Sequence, residues 1–327
     1  MSTQNKSFSY KLSGEQQDAL EALLSSGNFK PTVVPHTRIA VEGEQCRINL
    51  YTSGKLLVQG KGAAEFVQFY LEPNVLMEAR LGYENILNPE RLQPHIGIDE
   101  SGKGDFFGPM VIAGAYVDET LFGQLEKLGV KDSKSITSDK KALNMGRDII
   151  KLLGKRYSLV RIGPGSYNRM YAKMKNVNQM LAWGHAQAIE NLLEIVPDCP
   201  RAISDKFGRE DQIIRKLKER GRKIKLEQYH KAESDMAVAA ASIIARAAFL
   251  DALQKLEAKY GVAMLKGASA RVRESAEELV QKHGPKVLLE TSKCHFRTTD
   301  QVLEAVGHSR EDLGPDGQHV SKSARPS

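Results

Sequence analysis

The chain has 327 residues, with 47 Lys+Arg against 40 Asp+Glu, a formal charge of +7 and an ordinary apolar content of 41%. That length accommodates two domains, or one large domain with an appendage, and the mild positive charge favours a polyanionic partner. Three scattered cysteines (Cys46, Cys199 and Cys294) exclude a disulfide scaffold, no CxxC pair suggests zinc, and neither a secretory leader nor a run near the roughly 18 apolar residues of a membrane span is read, so a cytoplasmic protein without membrane association is expected.

Ser13 as a cap and the stripe Ala19, Leu20, Leu23 and Leu24 predict a helix over 13–25. Alternation predicts strands over 37–42 and 45–51, joined at Glu42-Gly43-Glu44. Thr52-Ser53-Gly54-Lys55 leads to a third strand over 56–60, and a helix follows near 63–71. Residues 76–94, with Pro89 and Pro94, read as a linker near their end. Residues 1–90 hold 8 Lys+Arg against 10 Asp+Glu, so the excess positive charge lies downstream, where 39 face 30.

From residue 95 the pattern changes. Strands are predicted over 95–99 and 110–117, close enough in sequence to pair antiparallel. Helices follow near 119–128 and over 138–153, then a strand over 157–162 and a long helical stretch over about 167–195. A short strand over 202–204 ends at Asp205, and 209–220 reads as a charged helix closed by Gly221. A strand from Ile224 runs up to His230, a very apolar helix spans Met236 to about Tyr260, and a last helix covers 271–283. The tail from about His308 is polar and expected to be disordered. Three strands with short connections, then two separated by helices, predict a mixed five-stranded sheet flanked by helices, an α/β fold preceded by a small α+β unit.

The chemistry concentrates in His95-Ile96-Gly97-Ile98-Asp99-Glu100-Ser101-Gly102-Lys103-Gly104-Asp105-Phe106-Phe107-Gly108-Pro109. A short apolar run ends in two carboxylates, hard ligands suited to Mg2+ or Mn2+. The glycines let backbone amides approach a phosphate or sugar, and Lys103 adds a positive charge. Neighbouring residues of a regular strand point to opposite faces, so a shared site requires the strand to end or distort, with Ser101-Gly102 as the expected break. The plain alternative is an exposed acidic strand end with a flexible loop. Asp205 and Glu233 also sit at predicted strand ends, and parallel first, fourth and fifth strands would bring these ends to one sheet edge. Clustered carboxylates repel one another unless cations neutralise them, and two ions about 4 Å apart would serve phosphodiester hydrolysis. His95, His185, His230, His283 and His295 lack metal-ligand spacing and read as structural or surface residues, with His295 kept as a substrate-contact or proton-shuttle candidate.

The stretch from Gly97 to Pro109 resembles the first motif of ribonuclease HIII. Lys131-Asp132-Ser133-Lys134, Ile203-Ser204-Asp205-Lys206-Phe207, and Lys231-Ala232-Glu233-Ser234 through Ala239–Arg246 match later motifs in the same order. The resemblance covers about residues 93–300. Lys103, Glu233, the Asp-Phe-Phe insert and an N-terminal unit all side with this family against ribonuclease HII. The strand–turn–strand Asn49–Gly60 resembles TATA-binding-protein-like domains; a scaffold hairpin without a ligand is its alternative.

The resemblance implies an RNase H-like fold and metal-dependent endonucleolytic cleavage of RNA in RNA/DNA hybrids, leaving 5′-phosphate and 3′-hydroxyl ends. It implies Asp99, Glu100, Asp205 and Glu233 as ligands of Mg2+ or Mn2+, in all two ions, and Gly102-Lys103-Gly104 against the sugar-phosphate backbone. Asp132 reads as a structural turn residue and Asp235 as a helix cap or a competing ligand. Asn49, Tyr51 and Lys55 are the candidate substrate contacts of the small domain. The expected division is 1–90 for the substrate-binding domain with linker, 91–307 for the catalytic domain and 308–327 for the tail. An RNA/DNA hybrid is the expected partner, with no obligate protein partner evident. The rivals are a junction-preferring enzyme of the ribonuclease HII type and a non-catalytic hybrid-binding protein.

Overall fold

The computed structural model describes residues 7–77, 92–130, 136, 138–205, 208, 210–229 and 232–321, with the backbone alone at Glu210 and Glu233. The chain divides into two compact units, Met1–Leu92 and Gln93–Ser327.

In the first unit, β1 (Ser7–Lys11), α1 (Gly14–Ser26), β2 (Lys30–Pro31), β3 (Thr37–Gly43), β4 (Cys46–Tyr51) and β5 (Lys55–Gly60) form an antiparallel sheet of order β1-β5-β4-β3-β2 with α1 sharing its core. Ser13 closes a capping box with Gln16 at the start of α1. Ile48, Leu50, Leu56 and Val58 face Leu20 and Leu24 in the core, so the alternate residues of β4 and β5 form the open face. The helix expected near 63–71 begins as α2 (Ala63–Phe66) and widens into a π-helical stretch, Val67–Leu76. Pro73 lies inside that stretch; it has no amide to donate and its ring crowds an α-helical turn. Both β1 and β2 escape the sequence reading because they are short and mostly polar. Most of the expected linker, Pro89 included, lies outside the described residues.

The second unit starts with a meander, β6 (His95–Ser101), β7 (Met110–Val117), α3 (Glu119–Leu128), α4 (Asp139–Leu153) and β8 (Tyr157–Ile162). Then come α5 (Pro164–Met174), α6 (Val177–Leu193), β9 (Arg201–Asp205), α7 (Glu210–Ile214), β10 (Lys225–Tyr229) and α8 (Met236–Tyr260). The sheet order is β10-β9-β6-β7-β8, with β6, β7 and β8 antiparallel and β6, β9 and β10 parallel. This is the mixed five-stranded sheet predicted from the strand spacing.

Helix α8 packs on one face through Ala237, Val238, Ala240, Ala241 and Ile244. A Cβ at Gly97 would stand 2.1 Å from backbone atoms of Ala237 and Val238, so glycine is what lets β6 and α8 touch. By length and composition α8 is apolar enough to cross a membrane, which the sequence reading placed nowhere, but here it is the buried central helix of the unit. The opposite face carries α6, with Met180, Leu181, Ala186 and Ile189 against Ile96, Ile98, Met110 and Ile112.

Three expectations give way here. The long helix splits where Lys175 takes a left-handed conformation (φ +51°) and Asn176 caps α6. The charged helix ends at Ile214 because the buried Glu190 carboxylate accepts from the Lys218 amide at 2.6 Å and the Gly221 amide at 3.0 Å. The tail is built rather than disordered as far as Ser321. After α9 (Ala270–His283), α10 (Val287–Thr291) and α11 (Thr298–Ala305), Arg310 pairs with Asp300 and donates to the Cys294 and Phe296 carbonyls, and the Ser321 amide donates to the His295 carbonyl. One half-buried guanidinium organises a polar segment that has no apolar periodicity to reveal it. Residues 322–327 lie outside the described residues.

Candidate active site

Strand β6 stays regular through both acids. Asp99 pairs with Ala113, Glu100 with Ile112 and Ser101 with Val111, without a register shift. The expected break at Ser101-Gly102 is there, since β6 ends at Ser101 and Gly102 has φ +88°, but it lies past both carboxylates and does not separate them. They project to opposite faces and are met by different helices, Asp99 by the Ser242 hydroxyl of α8 and Glu100 by the His185 imidazole of α6. Burial, with the Glu100 charge adding to it, pushes the Asp99 carboxyl up to about 6, against the Ser242 hydrogen bond. Burial also opposes ionisation of Glu100. There, His185 Nε2 at 3.1 Å from Oε2 and Lys103 Nζ at 3.8 Å from Oε1 outweigh it and hold the carboxyl below its usual range.

Asp205 ends β9. The last pair between β6 and β9 is Ile98 with Ser204, so Asp99 and Asp205 each stand one residue past it on adjacent parallel strands. Asp205 Oδ1 accepts from the Ala232 amide at 3.2 Å, which ties the strand end to the 3-10 turn Ala232–Ser234 whose backbone carries Glu233. Asp235, the competitor in that segment, is already engaged. It caps α8 by accepting from the Ala237 and Val238 amides, both at 3.0 Å, and its carboxylate meets His95 Nε2 at 2.9 Å. Burial raises its carboxyl, but the His95 contact and the cap amides win and set it below its ordinary value.

The glycine-rich loop divides its glycines by role. Gly102 has φ +88°, and a Cβ there would lie 2.3 Å from the Pro109 carbonyl oxygen, so the fold itself demands glycine. Gly104 is exposed and a Cβ would meet nothing within 4 Å, which leaves its backbone open to an approaching ligand. Below the loop, the fully buried Lys293 donates to the Asp105, Phe107 and Gly108 carbonyls at 2.8, 3.1 and 2.8 Å. Burial pushes the Lys293 ammonium down to about 7, with the Asp105 charge opposing. The sequence reading singled out the segment around Lys293 for its histidine instead. His295 packs among Tyr167, Tyr171 and Phe296, and burial with the charges of Lys293 and Arg310 pushes it down to about 4. It is a neutral core histidine, so the proton-shuttle reading is withdrawn.

In the small unit, Asn49, Tyr51 and Lys55 share the open face, alternating with buried Ile48, Leu50 and Leu56. Asp132 lies outside the described residues. Among the described residues, no three metal-capable side chains form a closed group, and the Glu233 side chain is outside that description. The donor chemistry nevertheless fits a hard divalent cation. Asp99 and Glu100 are desolvated oxygen donors; burial, with the Glu100 charge adding to it, already drives Asp99 toward its protonated form, and a cation offsets that cost.

The chain resembles known proteins over nearly its whole length. A family model described as Ribonuclease HII matches residues 96–299, and one described as a domain of unknown function matches residues 7–78. The chain is similar to ribonuclease HIII of Protochlamydia amoebophila, 43% identical over 87% of this chain and 92% of that protein. It is also similar to ribonuclease HIII of Chlamydia trachomatis serovar L2, 38% identical over 91% and 97%. Among solved structures, Bst-RNase HIII in complex with Mn2+ matches at a TM-score of 0.64 and 29% identity, covering 92% of this chain and 99% of that one. Aquifex aeolicus RNase H3 matches at 0.51 and 28%, covering 88% and 98%. The chain belongs to the ribonuclease HIII family.

Proposed function

We propose that this metal-dependent endoribonuclease of RNA/DNA hybrids works through Asp99, Glu100, Asp205 and Glu233 as ligands of two Mg2+ or Mn2+ ions. The observation that carries this reading is the parallel pairing of β6 with β9, which sets Asp205 beside the Asp99-Glu100 strand end. When bound, the divalent cations supply Lewis acidity and neutralising charge for phosphodiester hydrolysis. Lys103 and the open backbone at Gly104 meet the sugar-phosphate backbone, where a 2′-hydroxyl distinguishes RNA from DNA. Asn49, Tyr51 and Lys55 hold the duplex from the small unit, with 1–90 as the substrate-binding domain. The assay is cleavage of a hybrid labelled on its RNA strand, with and without Mg2+ or Mn2+, repeated with Asp99→Asn and Asp205→Asn. Metal-dependent products with 5′-phosphate ends from the parent and none from the variants are expected. Cleavage without added metal, or undiminished cleavage by either variant, overturns the assignment. The family model described as Ribonuclease HII keeps the junction-preferring reading in view. Cleavage at a single ribonucleotide embedded in DNA would favour it, and a requirement for a run of ribonucleotides would reject it.

A further inference from the structure

We propose that His185 is a positioning residue for metal binding, holding Glu100 by one oxygen and tying together the two strand ends that carry the acids. The inference rests on the metal-nuclease reading above and adds to it a residue without metal-ligand spacing.

The His185 ring is wholly buried, yet both of its nitrogens have polar partners. Nε2 lies 3.1 Å from Glu100 Oε2 and Nδ1 lies 3.1 Å from Ser204 Oγ. Ser204 is also wholly buried, and its hydroxyl lies 3.0 Å from the Asp205 carbonyl oxygen. The contacts therefore run from the carboxylate of β6, through α6, to the end of β9.

A carboxylate offers only acceptors, so the contact with Oε2 is made by Nε2–H as donor. The other oxygen, Oε1, lies on the side of Lys103, 3.8 Å from its Nζ, and faces an arriving cation without a histidine on it.

A filler of the α6–sheet interface would not need this chemistry. Leucine or methionine would fill the space beside Ile112 and Ala186 without the cost of burying two ring nitrogens. The polar ring sits where two parallel strands part beyond their last pair, the point at which nothing else among the described side chains fixes the Glu100 carboxylate except the partly exposed Lys103. Partners of this kind hold a ligand in its binding orientation, so binding does not have to order it.

The test uses Mn2+ alone, titrated into the full chain by calorimetry, with hybrid cleavage as a second readout. Glutamine at 185 can present an N–H near the position of Nε2, whereas asparagine reaches only as far as Nδ1. His185→Asn and His185→Leu should weaken Mn2+ binding by about 10- to 100-fold. His185→Gln should stay close to the parent. The Mg2+ concentration for half-maximal cleavage should rise in the same order, while metal-free affinity for hybrid stays unchanged. Equal Mn2+ affinity for the asparagine and glutamine variants overturns the proposal, and that comparison stands even if the leucine variant does not fold. A parent protein that neither binds Mn2+ nor cleaves hybrid defeats the underlying reading as well. A parent that does both, with indifferent variants, defeats this inference alone.

Discussion

His95 and Asp235 are 140 residues apart and meet in a hydrogen bond, Nε2 to Oδ2 at 2.9 Å, that joins the first residue of β6 to the cap of α8. Asp235→Ala should therefore cost stability, by about 3 kcal/mol for a lost charge-assisted bond to a buried ring and a lost cap together. The Asp235 carboxyl is held below its ordinary value of 3.8 in the fold. Its contribution is thus complete above that value and lost as pH falls through the folded one, so urea denaturation should show the gap from the parent closing in acid. The folded fraction should still cleave, whereas Glu233→Gln should not. The reverse outcome would exchange the roles of the two residues.

Asp99 gives the opposite sign. Its carboxyl is raised to about 6 in the metal-free fold, so the protonated form is favoured and metal-free stability should decline as pH rises from 4 to 6. Ligation requires the ionised form, so Mn2+ affinity should fall as pH drops below 6. Asp99→Asn should remove both dependences and abolish cleavage. Thermal denaturation with and without Mn2+ across that range is the measurement, and saturating Mn2+ should flatten the decline.

Lys293 holds the loop carbonyls of Asp105, Phe107 and Gly108 from below. Lys293→Met should cost about 3 kcal/mol by leaving them unpaired and should raise KM by loosening the loop. With the folded value near 7 and the ordinary value at 10.5, the unfolded chain alone holds the proton between these limits. The parent should then gain stability as pH rises through that window, and the variant should not. Chemical denaturation at pH 7 and pH 10 separates them.

Phosphate contacts release counterions, so affinity for hybrid should fall steeply between low and physiological salt. Lys103→Ala should lower the affinity and reduce the salt slope by about one. Fluorescence anisotropy at four salt concentrations, without metal, provides the slope. A flat profile would contradict phosphate-dominated binding.

The chain from Gln93 onward contains β6 through α11 and all four proposed ligands. It should fold and cleave with a raised KM and a smaller change in kcat, since two modules on one duplex act through effective concentration. Steady-state kinetics of both forms decide the point. A folded, inactive shorter chain would mean that the small unit helps to build the site.

Much of this was legible because it is local. The apolar run of β7 and the segment of β8 were read at their observed bounds, and the carboxylates at strand ends stand out in a linear reading. What stayed hidden is tertiary. The contact of His185 with Glu100 spans 85 positions, and within the apolar run of α6 that histidine reads as core. The regularity of β6 was missed because two acids seemed to need one face, whereas helices on both faces meet them. Glu190 gathers the Lys218 and Gly221 amides, and Arg310 ties down a tail, through long-range polar contacts that leave no period in the sequence.

The pairing of Ile98 with Ser204 joins residues more than a hundred positions apart. A ribosome releasing this chain must complete β9 before Asp99 and Asp205, the proposed ligands, can stand side by side, and the loop between them closes at an entropic cost that no local hairpin repays. The β6–β7 hairpin forms without that closure and brings only the two acids of its own strand. An emerging chain therefore has no finished cation site. Metal capture would report completion of the long-range fold, so free Mn2+ would stabilise the finished enzyme without seeding its folding.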